Sequence, residues 1–262
     1  MKLQSVELRV PEVERTARFF ETVWGLSAVA GGGAVRLRGS AALPYLVSLE
    51  HGAPAILSIT FCAPRSELGA ERELRGPEGE RYRFVFEQPA AATPEHPDRP
   101  VRLAHVVLNS ADVDAAERFA VAELGFKVSD RTKLMTFVRC DRKHHCIAYA
   151  RAGYASLNHI AFEMPSLDSV MRGIGRLRDA GYPAVWGPGR HGPGNNVFGY
   201  FVGPHGGVVE YTAEVAEVDE HYKVGGPQDW QWPPGRVDQW GISTRDTARI
   251  SAAEQVYRWR SE

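Results

Sequence analysis

The chain of 262 residues carries 31 basic against 32 acidic side chains and is 44% hydrophobic, so it can bury a full core in one or two domains yet raises no field to attract nucleic acid or an anionic membrane. Cys62, Cys140 and Cys146 show no CxxC spacing, which fits a reducing compartment, gives a cytoplasmic expectation and argues against a structural zinc site. The opening MKLQSVELRV has no apolar signal core, and no apolar run approaches the ~18 residues of a membrane span, so neither secretion nor a span is expected.

In chain order, the stretch from Leu3 predicts a strand, then a helix centred near Phe19, then a left-handed glycine at Gly25. Leu57 to Pro64 (LSITFCAP) and Gly76 to Phe84 (GPEGERYRF) follow as strand signals, and the Pro/Ala-rich Glu87 to Pro100 reads as a linker. From Leu103 the pattern begins again. LAHVVLNSADVDAAERFAVAELGFKVSD aligns without gaps on the segment from Leu3, pairing Arg18-Phe19 with Arg118-Phe119 and Gly25-Leu26 with Gly125-Phe126. Further on, Asn158 to Pro165 (NHIAFEMP) answers LSITFCAP, and Gly203 to Tyr211 (GPHGGVVEY) answers GPEGERYRF. Leu167 to Ala180 patterns as a helix, with VFGYFV and GVVEYT as a strand pair. The expected architecture is therefore α+β: two copies of a strand–helix–strands module, residues 1–95 and 96–215, and a tail over 216–262.

The repeat is its own control for what the scaffold requires. Where the second copy has His105, His159 and Glu210, the first has Ser5, Ser58 and Arg83, so folding does not demand these three. Strand parity is consistent with one shared cavity, and a carboxylate between apolar neighbours in GGVVEYT needs a partner there. Two neutral imidazoles and a carboxylate suit one face of an octahedral ion and leave positions for substrate and O2, as in non-haem Fe(II) sites; zinc or manganese suits the same ligands.

These residues resemble a family, the type I extradiol ring-cleaving dioxygenases of the vicinal oxygen chelate superfamily. The similarity runs over about residues 1 to 215 and is strongest in LAHVVL, CDRKHHCIAYA, LNHIAFEM and GRHGPGNNVFGYFVGPHGGVVEYTAE. It implies paired βαβββ units in each module, a metal-free first module, Fe(II) or Mn(II) on His105, His159 and Glu210, a catecholic substrate with O2, and a homo-oligomer. His145 then matches a proton-donating histidine near the O2 site, Tyr200 a tyrosine that bonds a catecholate oxygen, and His191 a histidine on the substrate side. Taken alone, His145 also reads as a surface residue, Tyr200 as a core aromatic and His191 as a loop residue. By parity His144 is expected to face away from His145. Relatives often carry Asn or Asp shortly after the histidine matched by His191, where this chain has Gly192-Pro193-Gly194, so the substrate side is expected to differ. Arg190 is a candidate for a substrate carboxylate, and the tail with Trp230, Trp232 and Trp240 is expected to pack over the cavity mouth or the outside of the modules. Two alternatives stay open: another metal enzyme of this fold, of glyoxalase or resistance type, and a non-catalytic binding protein.

Overall fold

The computed structural model describes residues 1–30, 33–94 and 96–259. The first half begins with β1 (Lys2–Val10), α1 (Val13–Phe19), β2 (Ser27–Val29), β3 (Val35–Arg38) and β4 (Val47–His51). It continues with β5 (Ala55–Ala63), the single-turn α2 (Arg65–Leu68), β6 (Arg72–Arg75) and β7 (Arg81–Phe86). Its sheet runs β2-β3-β4-β1-β5-β7-β6, with β1 and β5 antiparallel at the centre.

The second half comprises β8 (Arg102–Ser110), α3 (Val113–Ala122), β9 (Lys127–Arg131), β10 (Met135–Arg139) and β11 (Ile147–Arg151). After these come β12 (Ser156–Glu163), α4 (Leu167–Asp179), β13 (Trp186–Arg190), β14 (Val197–Val202) and β15 (Val208–Ala213). This sheet runs β13-β14-β15-β12-β8-β11-β10-β9. It contains two complete βαβββ units, whereas the second unit of the first half is one strand short.

Helix boundaries follow local chemistry. Asp112 caps α3 by accepting from the Ala115 N–H at 2.9 Å, and Ser166 caps α4 through the Ser169 N–H at 3.1 Å. A π-helical turn, Phe20–Trp24, continues α1, and Gly25 after it and Gly125 after α3 take φ of 94° and 73°, the left-handed endings the sequence predicts. The central strands β1 and β12 are buried along most of their length, with helices packed against each sheet. In the second half α4 packs on β14 and β15, and Gly173 permits the approach, since a Cβ there would stand 2.7 Å from the Tyr211 ring.

A single apolar core joins the halves. Trp24, fully buried, stacks on Tyr211 at 3.8 Å and meets Phe162 and Phe201 edge-on, while the Tyr82 and Tyr149 hydroxyls share a hydrogen bond of 2.9 Å. The linker has no regular structure apart from a turn near Asp98, and its residue 95 lies outside the described residues. The tail crosses the second half, forms α5 (Thr247–Ala253) against β14 and brings Trp259 beside Ile56 of β5. Among the described residues no helix is long and apolar enough to cross a membrane.

One buried group in this core makes stability depend on pH. His205 lies against Phe20 and Tyr257 with Nδ1 unpartnered, and burial pulls its imidazole down to about 4. In the unfolded chain a histidine titrates near ~6.5, so between these values the unfolded state binds the extra proton. Stability is therefore complete above about pH 6.5 and is lost as pH falls towards 4, by roughly 3 kcal/mol in all at about 1.4 kcal/mol per pH unit. His205→Phe, which keeps an aromatic ring without a titrating nitrogen, is expected to shrink the difference in urea-unfolding free energy between about pH 7.5 and pH 5; an unchanged difference rejects the assignment.

Candidate metal centre and cavity

The order of strands in the second sheet converts sequence positions into one row. His105 lies on β8, His159 on β12, Glu210 on β15 and Tyr200 on β14, while His191 follows β13 by one residue and His145 precedes β11 by two. Since β13, β14, β15, β12, β8 and β11 are consecutive neighbours, six adjacent strands each deliver one chemically active side chain. Registers fix the alignment: His105 opposes Ala161, Ala161 opposes Glu210, and Glu210 opposes Tyr200. Bulges in the β8–β12 pairing, between Leu157 and His159 and between Ala161 and Phe162, flank the histidine.

At the centre three donors converge. The Nε2 atoms of His105 and His159 lie 3.1 and 3.0 Å from the same Glu210 oxygen and 3.4 Å from each other, with the residues 2%, 5% and 0% exposed in the order His105, His159, Glu210. All three ligand atoms fall within 4.8 Å of one another. Burial alone would raise the Glu210 carboxyl, but the charges and hydrogen bonds of His105 and His159 outweigh it and hold the group ionised, well below the usual carboxylate range. Burial lowers His159 despite the opposing pull of Glu210, which favours the neutral imidazole that a metal needs.

Further features fit a cation at this point. The second Glu210 oxygen is buried without a partner, although a buried carboxylate oxygen normally accepts a bond. Asn158 Oδ1 sits 2.7 Å from His159 Nδ1 and would hold the ring proton there when Nε2 gives its lone pair to a cation. Asn158 is itself held by Asn109 at 2.8 Å, and Asn109 by the Ser156 hydroxyl at 3.0 Å. The residues present suit a divalent ion with mixed nitrogen and oxygen ligation.

The first half meets the same packing problem differently. Glu7 is buried there, and its carboxylate accepts from the hydroxyls of Ser5 and Ser58 at 2.6 Å and Thr60 at 3.1 Å. Arg83, opposite Thr60, is exposed. Among the described residues, only His105, His159 and Glu210 form a cluster of metal-ligand type.

A cavity of about 380 Å³ opens beside the three donors, lined by His105, His159, His145, His191 and Tyr200 together with Val107, Phe137, Trp186 and Asn109. On the His159 flank, Tyr200 shares a 2.9 Å hydrogen bond with His191 Nε2 and stacks on Trp186. Burial holds the Tyr200 phenol well above its ordinary range and takes His191 down to about 4, so both are neutral near neutrality. On the other flank the His145 ring lies 4.3 Å from that of His105 and is likewise kept neutral, chiefly by burial.

Two expectations are corrected by geometry. His144 does not face away from His145: the two Nδ1 atoms are 3.0 Å apart, because both residues precede β11 and strand alternation does not govern them. Arg190 does not line the cavity; it bonds Glu214 at 2.6 Å and the Asn195 carbonyl at 2.6 Å, and stacks over Trp240. The cationic lining residues are Arg151 and Arg245, neither of which carries a sequence signal.

The tail reaches the cavity as well as the outside. Trp232 and Val237 belong to the lining, and α5 contributes Ile250, with Glu254 just beyond it. The Gly192-Pro193-Gly194 departure has a steric cause. A Cβ on Gly192 would lie 2.5 Å from Trp232, and one on Gly194, where φ is +78°, would lie 3.0 Å from His145.

Residues 102–211 match the family described as the Glyoxalase/Bleomycin resistance protein/Dioxygenase superfamily. Metapyrocatechase 2 of Cupriavidus necator is 29% identical over 163 residues, 61% of this chain and 44% of that protein. 3-Methylcatechol 2,3-dioxygenase of Pseudomonas putida is 32% identical over 132 residues, 47% and 45% of the two chains. The chain thus spans less than half the length of these curated relatives. The crystal structure of the Mn(II)-bound glyoxalase from Novosphingobium aromaticivorans superposes with a TM-score of 0.85 at 31% identity, covering 95% of this chain and 93% of that one. The two sheets of paired βαβββ-like units are the vicinal oxygen chelate architecture. Identity at that level along nearly all of both chains, joined to the match over the second sheet, shows that this chain belongs to the Glyoxalase/Bleomycin resistance protein/Dioxygenase superfamily.

Proposed function

We propose that the protein is an Fe(II)-dependent extradiol dioxygenase that opens a catecholic ring beside its diol and inserts both atoms of O2, with Mn(II) as the alternative metal. The observation that carries this reading is the row of six side chains, in which a two-histidine, one-carboxylate set is flanked by His145 on one side and the Tyr200–His191 pair on the other. The names of the curated relatives support it. A homo-oligomer in the cytoplasm, with no nucleic-acid or membrane partner, belongs to the same proposal.

His105, His159 and Glu210 would hold the metal, which when bound supplies a chelating centre for the vicinal oxygens and the electron transfer that O2 chemistry requires. The chain's own residues do the rest. Neutral His191 can accept the Tyr200 hydroxyl proton as the Tyr200 oxygen takes one from a diol hydroxyl, so the pair moves one proton off the ring. His145, across the centre and also neutral, is placed to move the second proton. Val107, Phe137, Trp186 and Trp232 exclude water and favour a flat apolar ring.

The name of the Novosphingobium protein favours a second reading, a metal-dependent glyoxalase-type reaction without O2. Anaerobic loading with Fe(II) followed by a panel of catechols in air separates the two. A yellow ring-fission chromophore with one O2 consumed per ring is expected, and metal-loaded protein that consumes no O2 on any catechol overturns the dioxygenase reading.

The ligand assignment is tested independently of turnover by equilibrium metal binding. His159→Ala and Glu210→Ala are expected to weaken Fe(II) or Mn(II) by more than about 100-fold, Asn158→Ala by roughly 10- to 100-fold, and Ser58→Ala not at all. With circular dichroism unchanged, full metal content in the His159 variant would remove His159 from the site.

A further inference from the structure

Asp130, near the end of β9, is fully buried and has no Lys or Arg within salt-bridge distance among the described residues, although a buried carboxylate needs compensation. It accepts three hydrogen bonds instead. The Gly225 N–H reaches Oδ1 at 2.7 Å, while His144 Nε2 and the Tyr222 hydroxyl reach Oδ2 at 2.8 and 3.1 Å. His144, 1% exposed, then meets His145 Nδ1 to Nδ1 at 3.0 Å. The result is a continuous line from the tail to the cavity wall.

The chemistry of the line fixes its protons. An ionised carboxylate only accepts, so His144 carries its proton on Nε2. A neutral His144 then has its lone pair on Nδ1, and the facing His145 nitrogen must be the donor. This leaves the His145 proton on Nδ1 and a lone pair on Nε2, on the far side of the ring from His144. We propose that Asp130 and His144 are positioning residues for His145: they set its tautomer so that it presents a proton acceptor, not an N–H, to the cavity beside His105. The Tyr222–Gly225 segment of the tail is the clamp that holds Asp130 in place.

This inference rests on reading His145 as the proton-transferring group of the proposed reaction. In that role Nε2 first takes a proton from a substrate O–H, the O–H bond breaking as the N–H bond forms, and can return the same proton to a product oxygen. No other reactant is needed for that exchange. The opposite tautomer would offer only a donor at the outset.

The arrangement can be tested without metal or turnover. Long-range proton–nitrogen correlation spectra of the full-length, metal-free protein labelled with ¹⁵N-histidine, recorded near pH 8, report which nitrogen of each ring is protonated. His145 is expected to be protonated on Nδ1 and bare on Nε2. A wild-type His145 protonated on Nε2 overturns the proposal outright, so the test does not depend on any variant folding. In Asp130→Asn the amide oxygen keeps the Gly225 N–H and the amide nitrogen faces His144, so both rings are expected to exchange tautomers; Tyr222→Phe keeps the carboxylate and is expected to leave them unchanged. An Asp130→Asn protein with the wild-type tautomers also overturns the proposal.

With Fe(II) and a catechol, Asp130→Asn is expected to lower kcat by about 10²- to 10⁴-fold with KM and metal content little altered. Switched tautomers with kcat within about two-fold of the parent would reject the positioning role. Absence of ring cleavage by the wild type would instead remove the dioxygenase reading and leave the tautomer result standing.

Discussion

A carboxylate taken out of water must be compensated at the site where it is buried, and three solutions to that constraint organise this chain. Glu7 is held by hydroxyls from β1 and β5, Glu210 by the imidazoles of β8 and β12, and Asp130 by His144 together with two groups from the tail. The first solution is closed, because three neutral donors around Glu7 satisfy it in place. The second is open, with one Glu210 oxygen left bare and three donor atoms drawn together as they would be around a cation. A duplicated scaffold therefore supports a structural site and a chemically demanding one, and the difference lies in a few residues that point into the curve of each sheet.

The centre is legible in the sequence because its geometry is almost entirely that of strands. Alternation places side chains by parity within each strand, and the repeat locates the positions where the copies differ, so the pattern of His105, His159 and Glu210 is consistent with one shared face. The pairing registers bring those same three residues together. Glu7 carries a readable signal too: Ser5 and Glu7 share a face of β1, Ser58 and Thr60 a face of β5, and four polar residues in alternation on buried strands ask for one another.

What escapes sequence reading lies outside the regular strands or depends on long-range partners. His144 sits in the bend before β11, where no period applies, and its direction is set by Asp130, 14 residues away. Arg190 ends β13 with the expected charge, but Glu214 and the Asn195 carbonyl capture it, and neither partner is predictable from local pattern. The missing strand in the second unit of the first half shows in the sequence only as length, since Arg65 to Arg75 is all that separates LSITFCAP from GPEGERYRF where Ser166 to Val202 separates the matching pair in the second copy.

The tail and the row of strands contribute to the cavity through different kinds of structure. Side chains delivered by adjacent strands are fixed by ladders of backbone hydrogen bonds, and a centre that must hold three donors within a few ångströms benefits from that rigidity. The roof has no such requirement. Trp232 and Val237 come from a segment without regular structure that lies over Gly192, whose lack of a side chain makes the space Trp232 occupies. Changing the roof would alter the shape of the cavity while the row beneath stays in register. Asp130 is the exception: its links to Tyr222 and Gly225 tie the same tail into the flank of the centre, beside the His144–His145 pair.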